Sequence, residues 1–202
     1  MSNLIIPQFF GSVLYWTNIL SSNVISLKRE VAFQKSSRMN RTEIMTANGL
    51  LLLTVPVIGG RNTRLPYSEI MIDYKNSWQK NHLNALQSAY GKSAFWEFYK
   101  DILLKIYAQN FKLLIELNEF TMYEILKCIK VNKPILQETE NDIFNFETQA
   151  LKKNVNALPE YFQTFSHKFN FESDISIIDL IMNTGNESRL YLEKINALTS
   201  HK

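Results

Sequence analysis

The stretch from Trp78 to Lys92 brings together an indole, a carboxamide, an imidazole, a phenol and an ammonium, in Trp78, Gln79, His82, Tyr90 and Lys92. On a helix advancing about 100° per residue, Trp78, His82, Leu86 and Ala89 share one sector, with Gln79, Leu83 and Tyr90 on its shoulder. Lys80, Asn81, Asn84, Gln87 and Ser88 face the other way. His82 and Gln79 therefore lie on the apolar side, where a polar group costs free energy unless it is hydrogen-bonded. Histidine exchanges protons near neutral pH. One reading of the pair is a general base with a substrate-orienting amide at the edge of a pocket. The other is a core histidine and glutamine bonded to nearby backbone.

Asp179 poses a similar question. In the run ISIIDLIMN its neighbours Ile177, Ile178, Leu180, Ile181 and Met182 are apolar all round a helix. A carboxylate there needs a charged or multidentate partner, and Asn183 lies one turn on. It either caps or pairs structurally, or it orients His82 or holds a substrate amine; His82 and Arg41 are both candidate partners. The polar run Asn40-Arg41-Thr42-Glu43 alternates as a strand, with Arg41 and Glu43 on one face and Asn40 and Thr42 on the other. Arg41 is read either as half of an exposed ion pair or as a contact for a ligand's phosphate or carboxylate.

Other chemistries find little support. The loop Gly59-Gly60-Arg61-Asn62-Thr63-Arg64 could cradle an anion, but its spacing is neither that of a P-loop nor that of a dinucleotide fingerprint. Cys128, the single cysteine, sits in an apolar run and reads as a small buried hydrophobe. His82, His167 and His201 are too scattered for a metal site, so no metal and no cofactor are expected. With 22 basic and 19 acidic side chains the net charge is +3, which provides no basic stripe for nucleic acid. No stretch approaches the roughly 20 apolar residues that span a bilayer. The N-terminal run lacks the basic start and clean cleavage site of a signal peptide, so the cytoplasm is the expected location.

The elements that must position these residues change period near Ser77. At 202 residues, 46% hydrophobic and 20% charged, the chain suits one domain with a real core. Residues 12–22 read as a short helix, Val24–Leu27 as a strand, and 38–46 with 50–57 as a hairpin through a type I′ turn at Asn48-Gly49. The all-apolar second arm is expected to be covered on both faces. Residues 70–74 offer another strand, and 135–139 a further one. Helices follow at 77–90 with Ser77 as N-cap and Gly91 as C′ residue, at about 95–106, at 111–129, at 176–183 and from about 187 to 198. The expected class is α+β: a small, mostly antiparallel sheet in the N-terminal half packed by a predominantly helical C-terminal two-thirds. It forms one domain over 1–202, β-rich at about 23–75 and helical at about 77–202.

The run RMNRTEIMTANGLLLLTVPV (38–57) resembles one block of the WbqC-like family, and WQKNHLNALQSAYGKSAFWEFY (78–99) resembles its second and most specific block. YFQTF (161–165) with FESDISIIDLIMNTG (171–185) is similar to a third, and Pro7 and Tyr15 fall where that family has a proline and aromatic residues. Ala94 stands where a proline is common, and Asn183-Thr184 replaces a pair that often contains glutamate. The family is associated with bacterial surface-polysaccharide (O-antigen) gene clusters. The resemblance thus implies transfer of glycine or a related acyl group to an amino or hydroxyl group of a sugar. Its matching positions include Asn40, Arg41, Trp78, Gln79, His82, Tyr90, Lys92 and Asp179. In this scheme His82 is the base and Asp179 its partner, Arg41 and Lys92 meet phosphate or carboxylate, and Trp78, Tyr15 and Tyr90 wall a sugar ring. The expected partner is a small sugar or nucleotide-sugar, and the oligomeric state is not readable. The rival is a non-catalytic sugar- or peptide-binding module.

Overall fold

The structure, a computed structural model, describes residues 2–59, 65–137 and 158–200. Pro7 and Gly11 divide the first apolar stretch into a strand and a helix. Strand β1 (Ser2–Ile5) ends just before Pro7, which has no N–H for a ladder. Phe10 and Gly11 then take left-handed φ of 60° and 65°. Ser12 caps helix α1 (Val13–Ser21) by accepting a hydrogen bond from the Tyr15 N–H. The chain returns as β2 (Val24–Leu27), parallel to β1 from Ser2↔Val24 to Ile5↔Leu27. A third strand, β5 (Ile135–Gln137), pairs parallel to the other edge of β2.

This overturns the expected mostly antiparallel sheet. The three-stranded sheet is wholly parallel, in the order β1-β2-β5, and the hairpin β3 (Arg41–Thr46) with β4 (Gly49–Thr54) forms a separate two-stranded sheet. Parallel neighbours need a crossover, and α1 supplies it between β1 and β2. The partners of β2 lie at 2–5, where no strand was expected, and at 135–137, within the strand expected at 135–139 but outside the β-rich part at about 23–75. β4 is not covered on both faces either: Leu50, Leu51 and Leu52 are 49%, 39% and 43% exposed, and of its leucines only Leu53 is buried. The hairpin turn differs as well. Its central residues are Ala47 and Asn48, and Gly49 alone takes a positive φ, 98°.

The helices follow the apolar periodicity closely: α2 (Trp78–Tyr90), α3 (Trp96–Tyr107), α4 (Leu114–Cys128), α5 (Ile177–Thr184) and α6 (Ser188–Ser200). Ser77 precedes α2 without a side-chain cap bond, and Gly91 stays right-handed at φ −58°. The strand expected at 70–74 is reduced to single bridges, Val57↔Ile72 and Met71↔Leu113. Residues 60–64 of the glycine loop and 138–139 of the last expected strand lie outside the described residues.

Beneath the N-terminal loop sits a fully buried polar knot. The Tyr67 hydroxyl donates to the Pro7 carbonyl at 2.8 Å. Asn118 Nδ2, on α4, donates to the Met39 carbonyl at 2.6 Å and to the Tyr67 hydroxyl at 2.5 Å. The Phe9 N–H meets the Arg38 carbonyl at 3.0 Å. Two loops far apart in sequence, 7–9 and 38–39, are thereby fixed to each other and to α4. Asn118→Leu keeps the volume but strands the Met39 carbonyl in the core, so an equilibrium urea melt should show a loss of about 2–4 kcal/mol. A loss below about 0.5 kcal/mol would remove the knot from the account.

Candidate functional site

A cleft of about 490 Å³ opens where the loop after β1, the first turns of α1, the 36–43 segment and Asp174 meet. Gln8 brings to it the loop that follows the carboxyl end of β1, and open parallel sheets bind ligands outside such ends. The face of β3 that carries Arg41 and Glu43 forms one wall, and Leu52, cross-strand from Glu43, extends it. Tyr15 forms the opposite wall. A Cβ on Gly11 would lie 2.3 Å from the Tyr15 ring, so only glycine lets that ring pack against the turn. Burial pushes the Tyr15 phenol well up, with a partial offset from a hydrogen bond to the Gln8 backbone, so it stays protonated.

The charges in the cleft are unevenly matched. Asp174 accepts the Leu14 N–H at 2.9 Å and pairs with Arg38 Nη2 at 3.1 Å. Arg41 and Glu43 make no ion pair among the described residues. The expected Arg41–Glu43 pair therefore does not form, although alternation places both on the cleft face. Arg41 Nε and Gln8 Oε1 are buried without a partner among the described residues, a cost of about 1–3 kcal/mol for each such group. Such unsatisfied groups call for a structural or ligand-related reason.

Of the residues singled out from sequence, Tyr15 and Arg41 line this cleft. Asn40 lies behind it, donating from Nδ2 to the Val55 carbonyl at 3.1 Å and clamping the hairpin ends. Trp78 and His82 sit in an aromatic cluster with Phe9 and Tyr107. His82 is 6% exposed, its Nδ1 is 3.3 Å from the Tyr107 hydroxyl, and it hydrogen-bonds the backbone of Thr54. Thr54 is the cross-strand partner of Arg41, so His82 braces that wall from behind. Gln79 donates to the Tyr107 and Gln109 carbonyls, tying α2 to the end of α3. Lys92 is exposed beyond α2.

Asp179 does not meet His82 or Arg41. Its Oδ1 accepts the Tyr90 hydroxyl at 2.9 Å, and its Oδ2 accepts the Tyr161 hydroxyl at 2.7 Å and Gln163 Nε2 at 2.9 Å. Among the described residues no cation is within ion-pair distance. Burial raises its pKa, and the bonds from Tyr161, Tyr90 and Gln163 pull it back. Asp179 thus joins the end of α2, the 161–163 segment and α5.

The cleft residues that sequence reading missed are Gln8, Arg38 and Asp174, with Glu43 weighed only as Arg41's partner. The available signal was the order strand, glycine turn, capped helix, strand. It becomes legible only once Ser2–Ile5 is recognised as a strand.

His82 offers a direct check on the role of α2. Burial lowers its pKa from 6.5 to about 4. Between those values the unfolded chain takes up a proton that the folded chain refuses, so the stabilisation is complete above pH 6.5 and is lost as pH falls towards 4. The full effect is about 3 kcal/mol. The stability difference between wild type and His82→Leu should therefore shrink by about that amount from pH 7 to pH 4 in urea melts. A difference independent of pH would show that His82 is not held neutral.

No curated protein and no solved structure matches the chain. The family model for the WbqC-like protein family matches residues 7–158. That span includes the whole N-terminal side of the cleft and the 78–99 block, and it stops before the runs at 161–165 and 171–185. With well over half of its length matched, the chain belongs to the WbqC-like protein family.

Proposed function

We propose that this protein is a transferase acting on a sugar precursor, and that the precursor binds in the cleft between Tyr15 and β3. The observation that carries the reading is Arg41, a guanidinium on the cleft wall with a buried, unpaired Nε and no carboxylate partner among the described residues. Arginine recognises phosphate or carboxylate by two parallel hydrogen bonds. In this reading Arg41 takes the anionic group of the ligand and Tyr15 offers its ring to the sugar.

Glu43 is then the base. It is the cleft carboxylate outside any described ion pair, since Asp174 is engaged by Leu14 and Arg38. As the acceptor's hydroxyl or amine attacks the carbonyl carbon of an activated acyl donor, an ester or thioester, Glu43 takes its proton, and the Arg41 charge steadies the negative charge that develops. The bond from the acyl carbon to the donor then breaks, and the donor's alcohol or thiol leaves with the proton that Glu43 returns. The acyl group transferred, glycine or a relative, is the one the family resemblance implies. His82 and Asp179 move from catalysis to support, as positioning residues that hold β4 and α5 in place. The buried, low-pKa imidazole has the Tyr107 hydroxyl at one nitrogen and a hydrogen bond to Thr54, which suits a brace better than a base.

Isothermal titration with glucose 1-phosphate and UDP-glucose should show Arg41→Ala weakening binding at least tenfold with little change in melting temperature. Equal affinity in the variant would overturn the site. Glu43→Gln should keep binding but lower transfer to a sugar acceptor about a hundredfold. Binding by wild type without turnover on any acyl donor would favour a binding module instead.

A further inference from the structure

We propose that the ligand of the cleft is bipartite: a nucleoside phosphate joined to a second group, with the nucleoside in a side chamber at the carboxyl ends of β1 and β2 and the phosphates beside Arg38. The inference rests on the reading of the cleft as the ligand site. A second cavity of about 420 Å³ adjoins the cleft and shares Gln8, Tyr15, Asn18, Ser37 and Arg38 with it. The two chambers are therefore separated only by a common wall, and each falls in the size range of small-molecule sites.

Both linings mix polar and apolar groups, and they differ in what each adds to the shared wall. The main chamber adds Arg41, Glu43, Ser12 and Thr42 together with Leu14 and Leu52. The side chamber adds apolar surface from Ile6, Val31, Ala32 and Met39, with Lys28 and Gln34 as the polar groups that it does not share. Apolar walls suit the faces of a planar base, while a carboxamide and an ammonium suit its edge and a ribose or phosphate oxygen. Leu4 to Ile6 end β1 and Lys28 directly follows β2, so the side chamber lies at the parallel strand ends where nucleotides bind in open α/β sheets.

The cations follow the same division. Lys28 belongs to the side chamber, Arg38 to the shared wall and Arg41 to the main chamber. Lys28 makes no ion pair among the described residues. Arg38 engages the Asp174 carbonyl and carboxylate through Nη2 in both cases, which leaves the other edge of its guanidinium for a phosphate. A nucleoside diphosphate with a sugar attached runs its charged link from Arg38 on the wall to Arg41 in the main chamber, the anion contact already given to that arginine, with the nucleoside beyond one end and the sugar beyond the other.

The test is calorimetric titration of the full chain with UDP, CDP, GDP and glucose 1-phosphate, repeated on Lys28→Ala and Ala32→Trp. Ala32 is exposed at the chamber rim, so the larger side chain narrows the mouth without entering the core. The expected result is that at least one nucleoside diphosphate binds wild type, that both variants weaken it tenfold or more, and that glucose 1-phosphate changes less than threefold. The bipartite assignment is overturned if only glucose 1-phosphate binds, if the variants weaken it as much as the nucleotide, or if they weaken neither. If none of the four probes binds wild type, the reading of the cleft falls as well.

Discussion

The Asn118 amide and the Tyr67 hydroxyl, both fully buried, hold together the two stretches of backbone between which the cleft lies. Neither water nor a charged group need be invoked at this point. A peptide carbonyl taken out of water must find a donor, and the carbonyls of Pro7 and Met39 find theirs on one side-chain network. From Pro7 the chain runs on to Gln8, and from Met39 to Arg41. The separation of the cleft walls is therefore set beneath its floor, by two hydrogen-bonded side chains rather than by the walls themselves. The Phe9–Arg38 backbone bond locks the same geometry from above.

Helix α2 acts on that frame from behind. The polar groups that it does turn inward are there for structural reasons that form a consistent set. His82 reaches Thr54 opposite Arg41, Gln79 captures the end of α3, and Tyr90 delivers its hydroxyl to Asp179. Asp179 in turn is a carboxylate held by three neutral donors, in contrast to Glu119, which is met by both arms of Arg29 at 2.7 and 2.5 Å. Removing one partner of a buried charge is costly, so each of these side chains is constrained without touching a ligand. A polar residue on an apolar helix face signals an obligatory partner, and the partner here is the scaffold.

This distinction marks what could be read from the sequence. The α2 boundaries, the inward aspect of His82 and the burial of Asp179 all follow from periodicity, because a 3.6-residue repeat is a local property. The alternation that puts Arg41 and Glu43 on one face is equally local. What escaped was non-local. Ser2–Ile5 carries no alternation of its own and becomes a strand only against Val24–Leu27, while Ile135–Gln137 joins them from more than a hundred residues away. Missing β1 hid the βαβ unit, and with it the strand ends that give the cleft its place. The identity of each buried group's partner was likewise beyond reach, since Tyr90, Tyr161 and Gln163 converge on Asp179 only in three dimensions.

The central claim is that ligand binds at the carboxyl ends of β1 and β2 rather than along α2. It is tested most directly by a crystal structure of the protein soaked with UDP-glucose. Ordered ligand is expected between Tyr15 and β3, with a phosphate within hydrogen-bonding distance of Arg38 or Arg41. Ligand ordered instead against Tyr161 and Gln163 beside Asp179, or in the separate hollow that Tyr74, Gln79, Asn110 and Lys112 line, with the cleft unchanged, would contradict it.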